Sequence, residues 1–355
     1  MTKVVVMGAL QLSMGRAERR RRKERILWRI GVLAGTGTAL KRTIPALLGS
    51  DLCRVTVVHG RDSDRLQNVV DLDPSIQLTT SEREFASLHN EYDVVFIGSP
   101  PFLHLEHLAL VAKLALPVIC EKPLIVRREE LPRLLDFIEE GRSPLMVAHH
   151  IRHQPAVTDI VALLRSGQLG SPVGAALQWC FMMNHDAPNA HWKLDPLLGG
   201  SSAMFDCGVH AVDLAVLLFG APVRVGAVAH RIRSEHVYDS VTVTLDYPMF
   251  AVSILASQSS IASCNDLRIN FSSSVLRAKD ILSENSVRSV EVVGGFAARK
   301  MIYDSTDLYR IEVENFCRSL EGSADMGTSV VDALMTTRIL FAVEDAVRMR
   351  RVVDL

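Results

Sequence analysis

The stretch RIGVLAGTGTALKRTIPALLGS, residues 29–50, decides how the chain is read. RIGVLAG (29–35) is a short, continuous apolar run, the pattern of a strand buried on both faces. TALKRTIPALLGS (38–50) then predicts a helix that closes at Gly49. Between them, Gly35 permits a tight turn and Gly37 lets the backbone approach a pyrophosphate, whose charge the free N–H groups of the helix N-terminus would meet. Thr36, Thr38, Ala39 and Leu40 complete the expected cofactor-binding turn. Leu40 stands where the third glycine of such a loop is usual, so a bulky side chain is expected between helix and sheet.

The same grammar repeats downstream. CRVTVVHG (53–60), DVVFIGS (93–99), LPVICEKP (116–123) and SPLMVAHH (143–150) read as further buried strands. LHLEHLALVAKLAL (103–116) places Leu105, Leu108, Ala109, Ala112 and Ala115 on one helical face, and EELPRLLDFIEEG (129–141) does the same with Leu131, Leu134, Leu135 and Ile138. Strands apolar throughout, alternating with helices, mean a parallel sheet covered on both faces. Residues 28–150 are therefore expected to form a doubly wound, Rossmann-type dinucleotide-binding domain.

Past residue 150 the pattern changes. A helix is expected at 155–170 and a strand at 172–182. Strands follow at 241–247, 250–256, 267–274 and 287–294 with no helices between them. That spacing predicts a mostly antiparallel sheet with one face more exposed. Helices at 308–320 and 329–348 close the chain, so residues 151–355 are expected to form a second α/β domain.

Bulk properties exclude some functions. A chain of 355 residues is enough for about two domains at ~150 residues each. Charged residues make up 22% and the net charge is −1, so no global field attracts nucleic acid or a membrane surface. Lys113 interrupts the longest apolar candidate, near 105–119, short of the ~20 residues of a membrane span. The six cysteines are scattered, none at a C-x-x-C spacing, which argues against zinc and for thiols of a reducing, cytoplasmic compartment. At the N-terminus an apolar run (4–10) precedes a basic one (16–25), the reverse of a secretory signal, and residues 1–27 are read as an extension outside the core.

The second strand bears on cofactor choice. It ends VVHGRDSDR, which puts Gly60 where an NAD-binding loop carries an acid on the ribose. Glycine leaves room there, and the guanidinium of Arg61 can pair with a 2′-phosphate, which favours NADP over NAD. Asp62 is the competing ribose ligand if the loop is built slightly differently.

The chemistry concentrates in GGSSAMFDCGVHAVDLAVLLFG (199–220), a helix apolar on almost every face that nonetheless holds Asp206, His210 and Asp213. Buried ionisable groups are costly unless paired or used. Asp206 and His210, four apart, share a helical face and can address one ligand. Histidine suits proton transfer, with an ordinary pKa near ~6.5. His210 is the expected proton donor and acceptor, and Asp206 would bind a neighbouring hydroxyl or orient His210. Lys122 closes a strand at its carboxyl end, where open α/β sheets bind ligands. Its ammonium would polarise a carbonyl oxygen or lower an alcohol pKa, and Lys122 as the main acid is the alternative. Asp213 reads as a structural partner. His149, His150 and His153 read as substrate contacts or packing, without the acids or cysteines that would complete a metal site.

GSPPFLHLEH (98–107), CEKPL (120–124), AHHIRHQP (148–155) and GGSSAMFDCGVHAVDL (199–214), in this order after a dinucleotide loop, resemble the Gfo/Idh/MocA oxidoreductases, named for glucose–fructose oxidoreductase and inositol dehydrogenase. The resemblance runs over about residues 28–350. It implies Lys122, Asp206 and His210 as the catalytic set, and Ser99, Pro100, Pro101, His104 and Glu121 on the cofactor side. It places Arg152 and Trp192 about the substrate, and the polar cluster of Asp206, His210, Arg152, His150 and Lys193 suits a hydroxyl-rich ligand. It also implies a second domain with a large open sheet that pairs subunits into a homo-oligomer. Leu40 and His149 depart from the family pattern. The implied activity is NADP-dependent hydride transfer at a secondary alcohol or ketone of a sugar, a nucleotide-linked ketosugar or a cyclitol. A glycosidase that oxidises transiently, or a non-catalytic NADP-binding regulator, are the alternatives.

Overall fold

The computed structural model describes residues 27–141, 143–187, 190–284, 286–295 and 298–355. The apolar run 4–10 and the basic run 16–25 lie outside the described residues. The chain opens with β1 (Trp28–Leu33), α1 (Thr38–Lys41), α2 (Thr43–Leu48), β2 (Cys53–His59), α3 (Ser63–Leu72), β3 (Gln77–Thr79) and α4 (Glu82–Ser87). It continues through β4 (Val94–Ile97), α5 (His104–Ala112), β5 (Val118–Glu121), α6 (Leu131–Glu140) and β6 (Leu145–Ala148). The six strands form one parallel sheet in the order β3-β2-β1-β4-β5-β6. The order reverses between β1 and β4, and the crevice beyond their carboxyl ends is where such sheets bind ligands.

Two details of the opening stretch differ from the sequence reading. The single helix expected at 38–50 is two short helices broken at Arg42 (φ −129°, ψ −71°). Pro45 has no N–H to donate to Lys41 four residues back, so the turn opens there. Leu40 does not wedge helix and sheet apart. The tight contact is made by Ala39, fully buried, against Gly98, where an added Cβ would lie 2.9 Å from the Ala39 Cβ. Leu40 lies half-buried to one side.

The second half comprises α7 (Pro155–Arg165), β7 (Pro172–Met182), α8 (Ala190–Lys193), a π-helical turn at Met204–Gly208 and α9 (Val209–Phe219). Then come β8 (Arg224–His230), β9 (Ser240–Asp246), β10 (Ala251–Ser257), β11 (Ser259–Cys264), β12 (Leu267–Phe271), β13 (Val275–Lys279), β14 (Arg288–Val293) and β15 (Arg299–Tyr303). Helices α10 (Leu308–Leu320) and α11 (Val330–Met349) and a short β16 (Val353–Asp354) end the chain. The strands form one ten-stranded sheet, ordered β15-β14-β13-β12-β7-β10-β9-β8-β16, with β11 on β7. It is antiparallel except where β7 and β10 run parallel. Its strands alternate: in β9, Val241, Val243 and Leu245 are buried while Thr242 and Thr244 are exposed, so one face carries the core and the other is open. The expected strand at 267–274 ends at Phe271, and β8, β11, β13, β15 and β16 join the sheet beyond the strands the sequence predicts.

Helix α10 returns to the first domain, where Val313, Phe316 and Cys317 join the core around Ile30, Val32 and Phe96. The tail therefore spans the junction between the two sheets. Among the described residues no helix is long and apolar enough to cross a membrane.

Candidate active site

The glycine loop has the shape the sequence implies. A Cβ on Gly35 would lie 2.6 Å from Val58 Cγ1, and one on Gly60 would lie 2.4 Å from Thr36 Cγ2, so neither position accepts a side chain as built. Beside Gly37 the nearest atom to an added Cβ is Gly98 O at 4.0 Å, and Gly37 and Thr38 are exposed. The loop is thus closed on its inner side and open at its tip, the form needed to bring backbone against a phosphate. Asp62, the competing ribose ligand, accepts hydrogen bonds from the N–H groups of Asp64 and Arg65, both at 3.1 Å, and caps α3. Arg61 beside it is exposed.

On the opposite rim, His104 is fully buried and does not face the crevice. Its ring nitrogens lie 2.9 Å from Pro123 O and 2.9 Å from Ser99 O, tying the loop after β5 to the loop after β4. Burial brings its pKa down to about 4. His107 holds the hydroxyl of Ser99 at 2.9 Å. Pro100 and Glu121 are half-buried at the rim, and the Glu121 carboxylate accepts the Lys122 N–H at 3.2 Å. Burial pushes the Glu121 carboxyl up to about 7 against the pull of Lys122.

Lys122 leaves the end of β5 and reaches the helix that carries the second half of the site. Its Nζ donates to Asp206 O at 2.7 Å and lies 3.8 Å from Asp206 Oδ1. The Asp206 carboxylate also accepts from Lys193 Nζ at 2.9 and 3.0 Å and from Gln258 Nε2 at 2.7 Å. Burial opposes this charge, yet Lys193 and Lys122 hold the carboxyl down to about 2. A Cβ on Gly199 would lie 2.6 Å from Trp192 O and 2.8 Å from Lys193 Cα, so the glycine lets α8 come close enough for Lys193 to reach Asp206. Trp192 is half-buried with its ring centre 5.6 Å from Lys193 Nζ.

Asp206 sits in the π-helical turn and His210 in the first turn of α9. Gly208 between them is pressed close: an added Cβ would lie 2.5 Å from Met204 Sδ and 3.0 Å from Ala256 Cβ. Asp206 does not orient His210 through its carboxylate, whose bonds go to Lys193 and Gln258. Ring contacts do so instead. His210 stacks on Trp179 (4.7 Å between centroids, 27° between planes) and meets His150 (4.9 Å, 65°) and His149 (5.6 Å, 88°) edge-on. Burial, then the charge of Lys122, keep the His210 pKa well below the ordinary histidine value, so its ring is neutral near pH 7. His210 Nδ1 and His150 Nε2 are buried and have no hydrogen-bond partner among the described residues.

Arg152 is placed differently from the substrate contact expected of it. Its guanidinium forks onto both carboxylate oxygens of Asp213 at 2.8 Å and reaches Asp332 Oδ2 at 2.7 Å. With Arg152 only 7% exposed, all of its geometry is committed to pinning α9 to the loop before α7 and to the start of α11. Asp213 is the structural partner the sequence suggested. Removing one member of a buried pair strands the other charge. Asp213→Ala is therefore expected to lower unfolding free energy by about 3–5 kcal/mol, read from the urea midpoint; a loss below ~1 kcal/mol would show that Asp332 alone neutralises the arginine.

Trp179 and Gln258 touch the site although no sequence signal marks them. Trp179 is one position in a strand, Gln258 follows the end of another, and no motif marks either. Among the described residues no group of three histidine, cysteine, aspartate or glutamate side chains is arranged to hold a metal ion.

Family models match both halves: the oxidoreductase family NAD-binding Rossmann fold over residues 29–149, and the GFO/IDH/MocA C-terminal domain over residues 157–274. The chain belongs to the Gfo/Idh/MocA family and is an NAD(P)-dependent oxidoreductase. It is 27% identical over 329 residues to D-xylose 1-dehydrogenase (NADP(+)) 2 of Haloferax volcanii, an alignment covering 92% of this chain and 99% of that protein. It is 31% identical over 203 residues to dTDP-3,4-didehydro-2,6-dideoxy-alpha-D-glucose 3-reductase of Streptomyces violaceoruber, covering 56% and 57% of the two chains. Its fold is shared with the aldose-aldose oxidoreductase of Caulobacter crescentus, solved with glycerol, at a TM-score of 0.82 and 18% identity over 93% of this chain and 100% of that one.

Proposed function

We propose that the protein transfers a hydride between NADP and a secondary alcohol or ketone of a sugar, a nucleotide-linked ketosugar or a cyclitol. The observation that carries this reading is the meeting of Lys122 Nζ with Asp206 at 2.7 Å to its carbonyl, one helical turn from a neutral, stacked His210, at the carboxyl end of β5. Bound nicotinamide supplies the hydride acceptor or donor. The residues of the chain supply the proton and the charge. Neutral His210 accepts the hydroxyl proton in oxidation, and the Lys122 ammonium stabilises the oxygen as its charge develops. Asp206, Lys193 and Trp192 form the polar side on which a second hydroxyl would bind. The names of the xylose, deoxysugar and aldose relatives support a hydroxyl-rich substrate.

The preference for NADP is supported by the loop around Gly60. The space that an acidic side chain would need there is filled by Thr36, Asp62 is occupied with its helix cap, and Arg61 is exposed. Arg61→Ala is expected to weaken NADPH about 10–100-fold, the worth of a charge-assisted hydrogen bond, while leaving NADH nearly unchanged. Equal effects in fluorescence titrations with the two cofactors would overturn the preference.

The functional test adds NADPH, then NADH, to the purified protein with keto-sugars and inososes, and NADP with D-xylose and other aldoses, and follows absorbance. Cofactor-dependent turnover is the expected result. Release of sugar from aryl glycosides with no net cofactor change would instead make the protein a glycosidase, and cofactor binding without turnover across the panel a regulator.

A further inference from the structure

Tyr309, Glu284 and Arg42 form a chain that ends on the site. Arg42, just past the glycine loop, places Nη2 3.0 Å from Glu284 Oε2. Tyr309 donates its hydroxyl to Glu284 Oε1 at 2.8 Å. The other face of the story is the ring: Tyr309 stacks on His150 at 4.8 Å between centroids and 25° between planes. His150 in turn meets His210 at 4.9 Å, and Trp179 covers His210 at 4.7 Å. We propose that Tyr309 is a positioning residue for His210, acting through His150: it completes an aromatic clamp that holds the proton-transferring ring in one orientation. The inference rests on the proton role assigned to His210.

Three features support it. The backbone of Tyr309 is anchored, because α10 buries Val313 and Phe316 in the core of the nucleotide-binding half. The far end of its ring is anchored as well, by the carboxylate of Glu284, which Arg42 holds from the first domain. The ring is therefore fixed at both ends and comes from neither element that carries the site. His150, by contrast, has no hydrogen-bond partner at its buried Nε2 among the described residues, so the stack does the orienting that a hydrogen bond would otherwise do at that nitrogen. The charges of Glu284, Glu121 and Arg42 act on the tyrosine, and those of Lys122, Lys193 and Arg288 act on the histidine pair. None of them bonds the two rings to each other, so their mutual angle depends on packing.

Two substitutions separate ring from hydroxyl. Tyr309→Phe keeps the stack and loses the bond to Glu284. Tyr309→Leu removes the face that His150 packs on. With the fastest substrate of the panel, the leucine variant is expected to lose about 10–100-fold in kcat with NADPH affinity within about twofold, the cost of a reacting group misplaced by about an ångström. The phenylalanine variant is expected to stay within about threefold of native. A substrate-independent readout uses protein with labelled histidine rings, the His150 and His210 signals being assigned by His150→Gln and His210→Gln. In the native chain and in Tyr309→Phe neither signal titrates between about pH 5.5 and 8, whereas in Tyr309→Leu at least one does, as water reaches a freed ring. Native kcat in a folded leucine variant, equal losses in both variants, or unchanged titration in Tyr309→Leu would each overturn the clamp. Should leucine prevent folding, Tyr309→Met fills a similar volume without a stacking face and is read in the same way. Native turnover in His210→Ala would instead strike the functional reading itself, while leaving the titration result to decide whether the tyrosine holds the rings.

Discussion

His210→Ala is expected to lower turnover by about 10²–10⁴-fold while NADPH affinity stays near native. The expectation follows from where the ring sits. It is 3% exposed, packed on Trp179 and edge-on to two other histidines, and neutral because burial and Lys122 both disfavour its charge. A neutral imidazole in that position takes a proton as an alcohol is oxidised, and alanine takes none. The proposed cofactor contacts, the loop at Gly35–Gly37 and the end of β2, belong to the other sheet from α9, so NADPH affinity is not expected to move. Stopped-flow absorbance for turnover and fluorescence titration for NADPH check both halves. Loss of NADPH binding, or turnover within tenfold of native, would remove the role assigned to this histidine.

Lys122→Met is expected to cost about 10²–10³-fold in kcat, the usual effect of deleting a cation or donor aimed at a developing oxyanion. Methionine retains the length and packing of the stem and removes the charge. The loss in kcat/KM is expected to be equal for ketone reduction and alcohol oxidation, because both directions cross one transition state: the proton His210 accepts in oxidation it returns in reduction, with the ammonium stabilising the oxygen in each. The substitution also removes the donor on Asp206 O and one of two lysines beside the Asp206 carboxylate. Lys193 remains at 2.9 Å, so the carboxylate stays paired and the fold is expected to hold. Combining Lys122→Met with His210→Ala should cost much less than the product of the two single losses, as for groups acting as one unit. Strict multiplication of the two single losses would separate the lysine from the proton path.

Much of this was legible before any coordinates. The strand–glycine turn–helix at 29–50 and the repeated buried strands defined the first sheet, because a strand covered on both faces has to be apolar throughout. Asp206 and His210 stood out for a different reason: each is an ionisable residue in an otherwise apolar helix, so its desolvation cost has to be answered, while Lys122 stood out as the lysine closing a strand at its carboxyl end in a stretch that resembles the family's E-K-P motif. Partners were harder to read. Arg152 was expected at the substrate, yet its charge is answered by Asp213 and Asp332, which lie 61 and 180 positions away. His104 was placed beside the cofactor, and the fold buries it between two main-chain carbonyls instead. The strands β13 and β15 went unseen because each is only five residues long and carries two basic residues, too short for a period-2 pattern to stand out.

Local pattern determined the glycine loop, the buried strands of the first half and the change of grammar past residue 150, since each depends on residues close together along the chain; the family resemblance added Lys122 to the Asp206–His210 pair as the proposed reacting groups. Tertiary structure alone decided which charges neutralise which, how His210 is oriented, and that α10 returns to bring Tyr309 against His150. The physical reason is range. Periodicity and turn chemistry act along the chain, whereas ion pairing and ring stacking act across a few ångströms of space, between residues whose separation in sequence carries no information about their meeting.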